Sequence, residues 1–200
     1  MSLIIYPVAG DSRAFLPAAF SLAMQTNQRA FASPFGGSEQ VTDMLNDRWS
    51  CTLDLPPTEH NRAAKRESFV EAMRGQANHT ELYHFGRPTP LGTLSGSPTA
   101  QTTLQGASVI VINATTGQTL LAGDMIGVDG LLLRVAADCT SSAGAITVTL
   151  TNRLRRSVTS GAAVVWDRPT APFRLASTPS VRYVAGYAEG VKLDFVEKVD

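Results

Sequence analysis

A strand, a proline stop, a helix and a second strand, within residues 48–85, constrain this chain more than any other stretch. In Arg48-Trp49-Ser50-Cys51-Thr52-Leu53-Asp54-Leu55, apolar Trp49, Cys51, Leu53 and Leu55 alternate with polar neighbours. A period of two gives a strand one buried face. Pro56-Pro57 ends the strand, because neither proline can donate a ladder hydrogen bond. Thr58 then suits the cap of a helix. Ala63, Arg66, Val70 and Met73, joined by Phe69, form one stripe at spacings of three and four, with Glu59, Arg62, Lys65, Glu67 and Glu71 left for water. Gly75 fits the position past the helix end, where positive φ is wanted. Residues 80–85 are expected to return to extended form, so that one helix lies across a sheet.

Upstream, residues 2–8 predict a short strand that Pro7 pushes towards a sheet edge. Residues 9–38 are apolar without a steady period, and Phe15, Phe20, Phe31 and Phe35 stand out in them. Two readings are open for such a segment: a loop over its own core, or an arm laid on a neighbouring subunit. Residues 40–47 read as a strand that turns at Asn46-Asp47 into the Trp49 strand.

After Pro90 the texture changes. Residues 91–105, rich in Gly, Ser, Thr and Pro, predict a linker or crossing segment. Short β runs follow at 107–113, 125–128, 131–136, 145–151 and 162–166, with turns at Thr116-Gly117, Asp129-Gly130 and 141–144. Asp129-Gly130 is a strong hairpin signal, because both central residues of a type I′ turn take positive φ. Past the Pro169–Pro172 break, Val191, Leu193 and Phe195 alternate with Lys192 and Asp194 in a last one-faced strand. The predicted fold is mainly β (α+β). Residues 1–90 with 171–200 form a β-sandwich with one packed helix, and residues 91–170 an inserted small antiparallel β-barrel or sandwich.

The 17 basic and 17 acidic residues cancel, so no basic excess supports sequence-specific nucleic-acid binding. No apolar run approaches the roughly 20 residues of a membrane span. The start of the chain lacks the features of a secretory signal. Cys51 and Cys139 form no C-x-x-C pair and read as small buried residues of a reduced compartment.

Catalytic chemistry finds little to work with. His60, His79 and His84 follow no metal-ligand spacing, and the serine-nucleophile elbow and the phosphate-cradling glycine loops are absent. Asp124, Asp129 and Asp138 lack the alternate spacing of a calcium loop. No catalytic, metal or cofactor residue is expected, and a hydrolase is disfavoured. One cluster remains: Arg153, Arg155 and Arg156, following the strand at 145–151. Arginine forks suit carboxylates, so these three join Phe15, Phe20, Phe31 and Phe35 as candidate interface residues; a solvated loop is the alternative.

The run from Trp49 through Leu55-Pro56-Pro57, the segment Met73-Arg74-Gly75-Gln76-Ala77-Asn78, and Leu82-Tyr83-His84-Phe85-Gly86-Arg87-Pro88 resemble, in order and spacing, the distal tail proteins, minor tail proteins of long-tailed bacteriophages. Leu121-Ala122-Gly123-Asp124-Met125 and Tyr187-Ala188-Glu189-Gly190-Val191-Lys192-Leu193-Asp194-Phe195 extend the resemblance over residues 41–200. It implies a structural virion protein at the tail tip, made in the host bacterial cytoplasm. Such a protein forms a ring, a hexamer in the family, that joins the tail tube to the baseplate or adsorption apparatus and leaves a channel for DNA. Implied partners are further copies of itself, the tail tube protein, tail hub or fibre proteins and the tape measure protein. The alternative reading makes the inserted β domain a carbohydrate- or host-surface-binding accessory module. An aromatic-lined groove would separate the two, and the insert offers Trp166.

Overall fold

A computed structural model of the chain describes residues 2–7, 12–34 and 36–199. The fold is mainly β, with several antiparallel sheets and one helix of 14 residues. In chain order the elements are α1 (Ser12–Phe15), β1 (Ala19–Gln25), β2 (Gln28–Ala32), β3 (Glu39–Asp43), β4 (Arg48–Leu55), α2 (His60–Met73), β5 (Thr80–Tyr83), β6 (Thr99–Ala100), β7 (Val109–Asn113) and β8 (Thr119–Leu120). They continue with β9 (Met125–Val128), β10 (Leu131–Arg134), β11 (Cys139–Thr140), β12 (Ala145–Thr149), β13 (Val164–Val165), β14 (Thr170–Leu175), β15 (Tyr183–Val184), β16 (Tyr187–Ala188) and β17 (Val191–Glu197). Two compact units divide the chain. The first is Met1–Ala23, Trp49–Gly86 and Thr170–Asp200; the second is Met24–Arg48 and Arg87–Pro169.

The first unit is built on a five-stranded sheet, ordered β1-β4-β17-β14-β5. Register explains its buried face: Cys51 opposes Phe195, Leu53 opposes Leu193 and Leu55 opposes Val191 across β4 and β17. The same face continues through Leu175 and Phe173 to Leu82 and Thr80. The opposite face is polar, and there the Thr52 hydroxyl donates to Asp194 at 2.8 Å. The stripe of α2 is buried as its spacing requires, Arg66 included. Arg66 is held inside by carbonyls rather than by a carboxylate: its Nε donates to Ala14 O at 2.6 Å and Nη1 to Pro56 O at 2.7 Å. Burial lowers its affinity for the proton, a shift that the Tyr6 phenol opposes.

The second unit has its own core, from Leu94 and Ala100 through Ile110, Ile126 and Val148 to Val164. Its ladders form a circuit. β12 pairs with β7 and β7 with β6; the Thr99↔Ala163 bridge joins β6 to the run leading into β13. β13 pairs with β9 and β9 with β10, and the Val135↔Leu150 bridge returns the circuit to the end of β12. Backbone bonds seal both junctions, among them Ala100 N–H to Ala162 O at 2.8 Å and Ala136 N–H to Thr149 O at 2.8 Å. The two three-stranded sheets are thus linked at both ends by a bridge, which limits exposed edges in the manner of a small barrel. The hairpin at Asp129-Gly130 has the predicted positive φ at both residues, 50° and 72°.

Several local expectations are corrected. Of the strand expected over residues 2–8, the described residues 2–7 form only a single parallel bridge, from Leu3 to His79, and Pro7 has no N–H to extend it; Val8 lies outside the described residues. Thr58 does not cap α2. Its N–H and C=O are taken by Ala188, at 3.0 and 2.8 Å, and Glu59 is the N-cap with no side-chain cap bond. Residues 91–105 are no linker. The buried Asp124 carboxylate accepts the N–H groups of Leu91, Gly92 and Leu121, at 2.8, 3.1 and 2.8 Å, and β6 is a barrel strand. Gly92 runs so close to Thr119 O that no Cβ would fit. Pro172 does not interrupt its strand either. Its carbonyl accepts the Lys198 N–H at 2.8 Å on the side where the pairing with β17 begins only at Phe173, so its missing donor leaves no gap in the ladder.

The segment read as aperiodic holds α1, β1 and β2. Residues 24–48, expected with the first unit, group with the second because their polar contacts run to its 153–156 loop.

Candidate functional site

The 153–156 loop is shaped by its buried residues. Leu154 is fully buried, its N–H donating to Ala107 O at 2.9 Å. Asn152 holds β10, accepting the Arg134 N–H at 3.1 Å and donating to Leu132 O at 3.2 Å. With these two fixed inward, the arginines project outward. Arg153 pairs with Asp43 at the end of β3. Arg155 Nη1 donates to Asp47 O at 3.4 Å, and Arg156 Nε lies 3.5 Å from Asp129 Oδ2. Arg153 and Arg155 thus reach back to the base of the β2–β3 hairpin, and Arg156 to the turn between β9 and β10. Asn27 completes that base: its N–H donates to Asp47 Oδ1 and its side chain to Leu45 O, both at 3.0 Å.

The hairpin is the unusual element. Every residue of β2 and β3 is exposed, on both faces, and the ribbon carries Phe31 at 56% and Val41 at 58% exposure. Two-stranded ribbons of this kind are marginal in water without something to pack on. Of the four phenylalanines singled out from the sequence, only Phe31 is shown exposed. Phe15 is buried, edge-on to Tyr6 and Phe69, so it serves the first unit's core rather than an interface. Phe20 is half-buried against His84 and Phe85. Phe35 lies outside the described residues.

Nucleophiles and ligands are placed without convergence. Burial, with Asp194 adding, pushes the Cys51 thiol up to about 12, which keeps it protonated. Burial likewise raises the Tyr6 phenol, whose hydroxyl donates to Phe15 O at 2.8 Å. His60 sits edge-on to Tyr183, 5.4 Å between ring centres, while His84 faces Phe20. Among the described residues no group of three or more His, Cys, Asp or Glu is arranged to hold a metal ion. The Asp124, Asp129 and Asp138 trio is occupied by backbone capping and an arginine.

A shallow cleft of about 390 Å³ on the second unit is lined by Ser95, Gly96, Ser97, Pro98, Asn113, Ala114, Thr115 and Gly144, with no aromatic side chain. Trp166, the insert's candidate sugar platform, packs against the barrel core and donates its indole N–H to Gly96 O at 3.0 Å. Models of known protein families return no match to the sequence, and neither do curated proteins.

Proposed function

We propose that the chain is a structural subunit of a bacteriophage tail tip, forming a homo-oligomeric ring that joins the tail tube to the adsorption apparatus and leaves a channel for DNA. The sequence resemblance over residues 41–200 suggests the setting, with a hexamer as the family's number. The observation that carries the oligomeric part is the β2–β3 hairpin: it is fastened at its base, exposed on both faces, and apolar at Phe31 and Val41. A neighbouring subunit would supply the packing that such a ribbon lacks.

The test is direct. Light scattering on the purified protein is expected to give one discrete oligomer, and electron microscopy ring-shaped particles with a central hole. A monodisperse monomer at the highest soluble concentration refutes the reading.

A further inference from the structure

The antiparallel register of the hairpin sorts its side chains onto two faces. Arg29 and Phe31 share one face with their partners Thr42 and Gln40; Gln28, Ala30 and Ala32 share the other with Asp43, Val41 and Glu39. The first face is basic and carries one large aromatic. The second is acidic, with apolar Ala30 and Val41 between its two carboxylates and Ala32 opposite Glu39. Neither face complements itself in charge, since the first holds a cation and no carboxylate and the second two carboxylates and no cation. They do complement each other, in charge and in relief.

We infer that the hairpin docks on a second copy of this chain, the Phe31 face of one copy against the Val41 face of the next. Phe31 lies over Ala30, Ala32 and Val41, and Arg29 meets Glu39 of the next copy, since Asp43 is already engaged by Arg153. A contact that uses two different patches is heterologous: it runs head to tail, and closes into a ring where its rotation permits. The inference rests on the oligomeric reading above and names the surface responsible.

Charge reversal tests it. Arg29→Glu and Glu39→Lys are each expected to weaken self-association at least about 10-fold, because like charges set against each other across a contact cost several kcal/mol. Mixing the two variants in equal amounts is expected to restore it, because alternating copies then meet with opposite signs at every contact. Phe31→Ser, which alters no charge, is expected to weaken association and not to recover on mixing with either variant. Circular dichroism should show all three folded, as the positions are exposed. A wild-type protein that is monomeric overturns both this contact and the ring reading. An oligomer indifferent to all three substitutions overturns the contact and leaves the ring reading standing. Loss in the charge variants without recovery on mixing overturns the head-to-tail pairing.

Discussion

Replacing Asp124 with alanine removes one buried carboxylate that accepts three backbone N–H groups, from Leu91, Gly92 and Leu121. Each buried donor left without a partner costs about 1–3 kcal/mol, so three would cost about 3–9 kcal/mol if all stayed dry. Leu91 is 67% exposed, and water reaching its N–H leaves two unpaired donors, for about 2–6 kcal/mol. At about 4 °C per kcal/mol for a domain of this size, the barrel's melting midpoint falls by about 8–24 °C. Asp124→Asn is intermediate. An amide oxygen at the Oδ2 position keeps Gly92 and Leu121, while its NH2 opposes the Leu91 donor, for a loss of about 1–3 kcal/mol. Differential scanning calorimetry on wild type, Asp124→Asn, Asp124→Ala and the exposed control Asp167→Ala gives the ranking. Should Asp124→Ala melt within a degree or two of Asp167→Ala, the carboxylate is not what pins residues 91–92 to the barrel.

Three further outcomes are expected. Phe69→Ala, which removes a buried ring packed edge-on to Tyr6 and Phe15, should cost about 3–5 kcal/mol in urea denaturation; a cost below 1 kcal/mol would mean that α2 is misplaced. At pH 8 a thiol reagent should leave Cys51 unmodified in the native protein, because its thiol, pushed up to about 12, is almost wholly protonated and buried, and should reach it only on unfolding. Mass spectrometry identifies the site, and modification of native Cys51 at the rate of a free thiol refutes this. Arg153→Ala and Asp43→Ala should each speed amide exchange across β2–β3. Their coupling in a double-mutant cycle should be about 0.2–1 kcal/mol and fade with salt, as expected for a half-exposed pair; additive effects would mean that the pair does not fasten the hairpin.

What could be read from the sequence was whatever its own neighbourhood decides. The alternation from Arg48 to Leu55 gave β4 its bounds, and the spacing of Ala63, Arg66, Phe69, Val70 and Met73 gave the buried side of α2. Asp129-Gly130 marked its turn because φ is a local property. In β1, Phe20, Leu22 and Met24 alternate, half-buried, with exposed neighbours, but the adjacent Phe15 and Leu16 and the break at Pro17 hide this seven-residue run of period two inside a longer aperiodic stretch. Two-residue strands such as β6 carry no period at all and exist because a barrel closes over them. Thr58 was misread since its backbone partner, Ala188, is remote in sequence. The arginine cluster was visible, but Asp43 and Asp47, which occupy it, lie far upstream and leave no trace in the loop itself.

In the five-stranded sheet, β17 lies between β4 and β14 and is the last of the five to leave the ribosome. Thr52 and Asp194, hydrogen-bonded across β4 and β17, are 142 residues apart. β4 and α2 thus emerge early with Trp49, Leu53 and Met73 uncovered, and wait through synthesis of residues 87–169. The barrel strands β6 to β13 are contiguous in the chain and can close as soon as they are out. Loop-closure entropy favours this order, local circuit first and long-range sheet last. A nascent chain halted before β17 should therefore carry a protease-resistant barrel flanked by cleavable ends, so the portion synthesised first is among the last to become safe from degradation and from sticking to its neighbours.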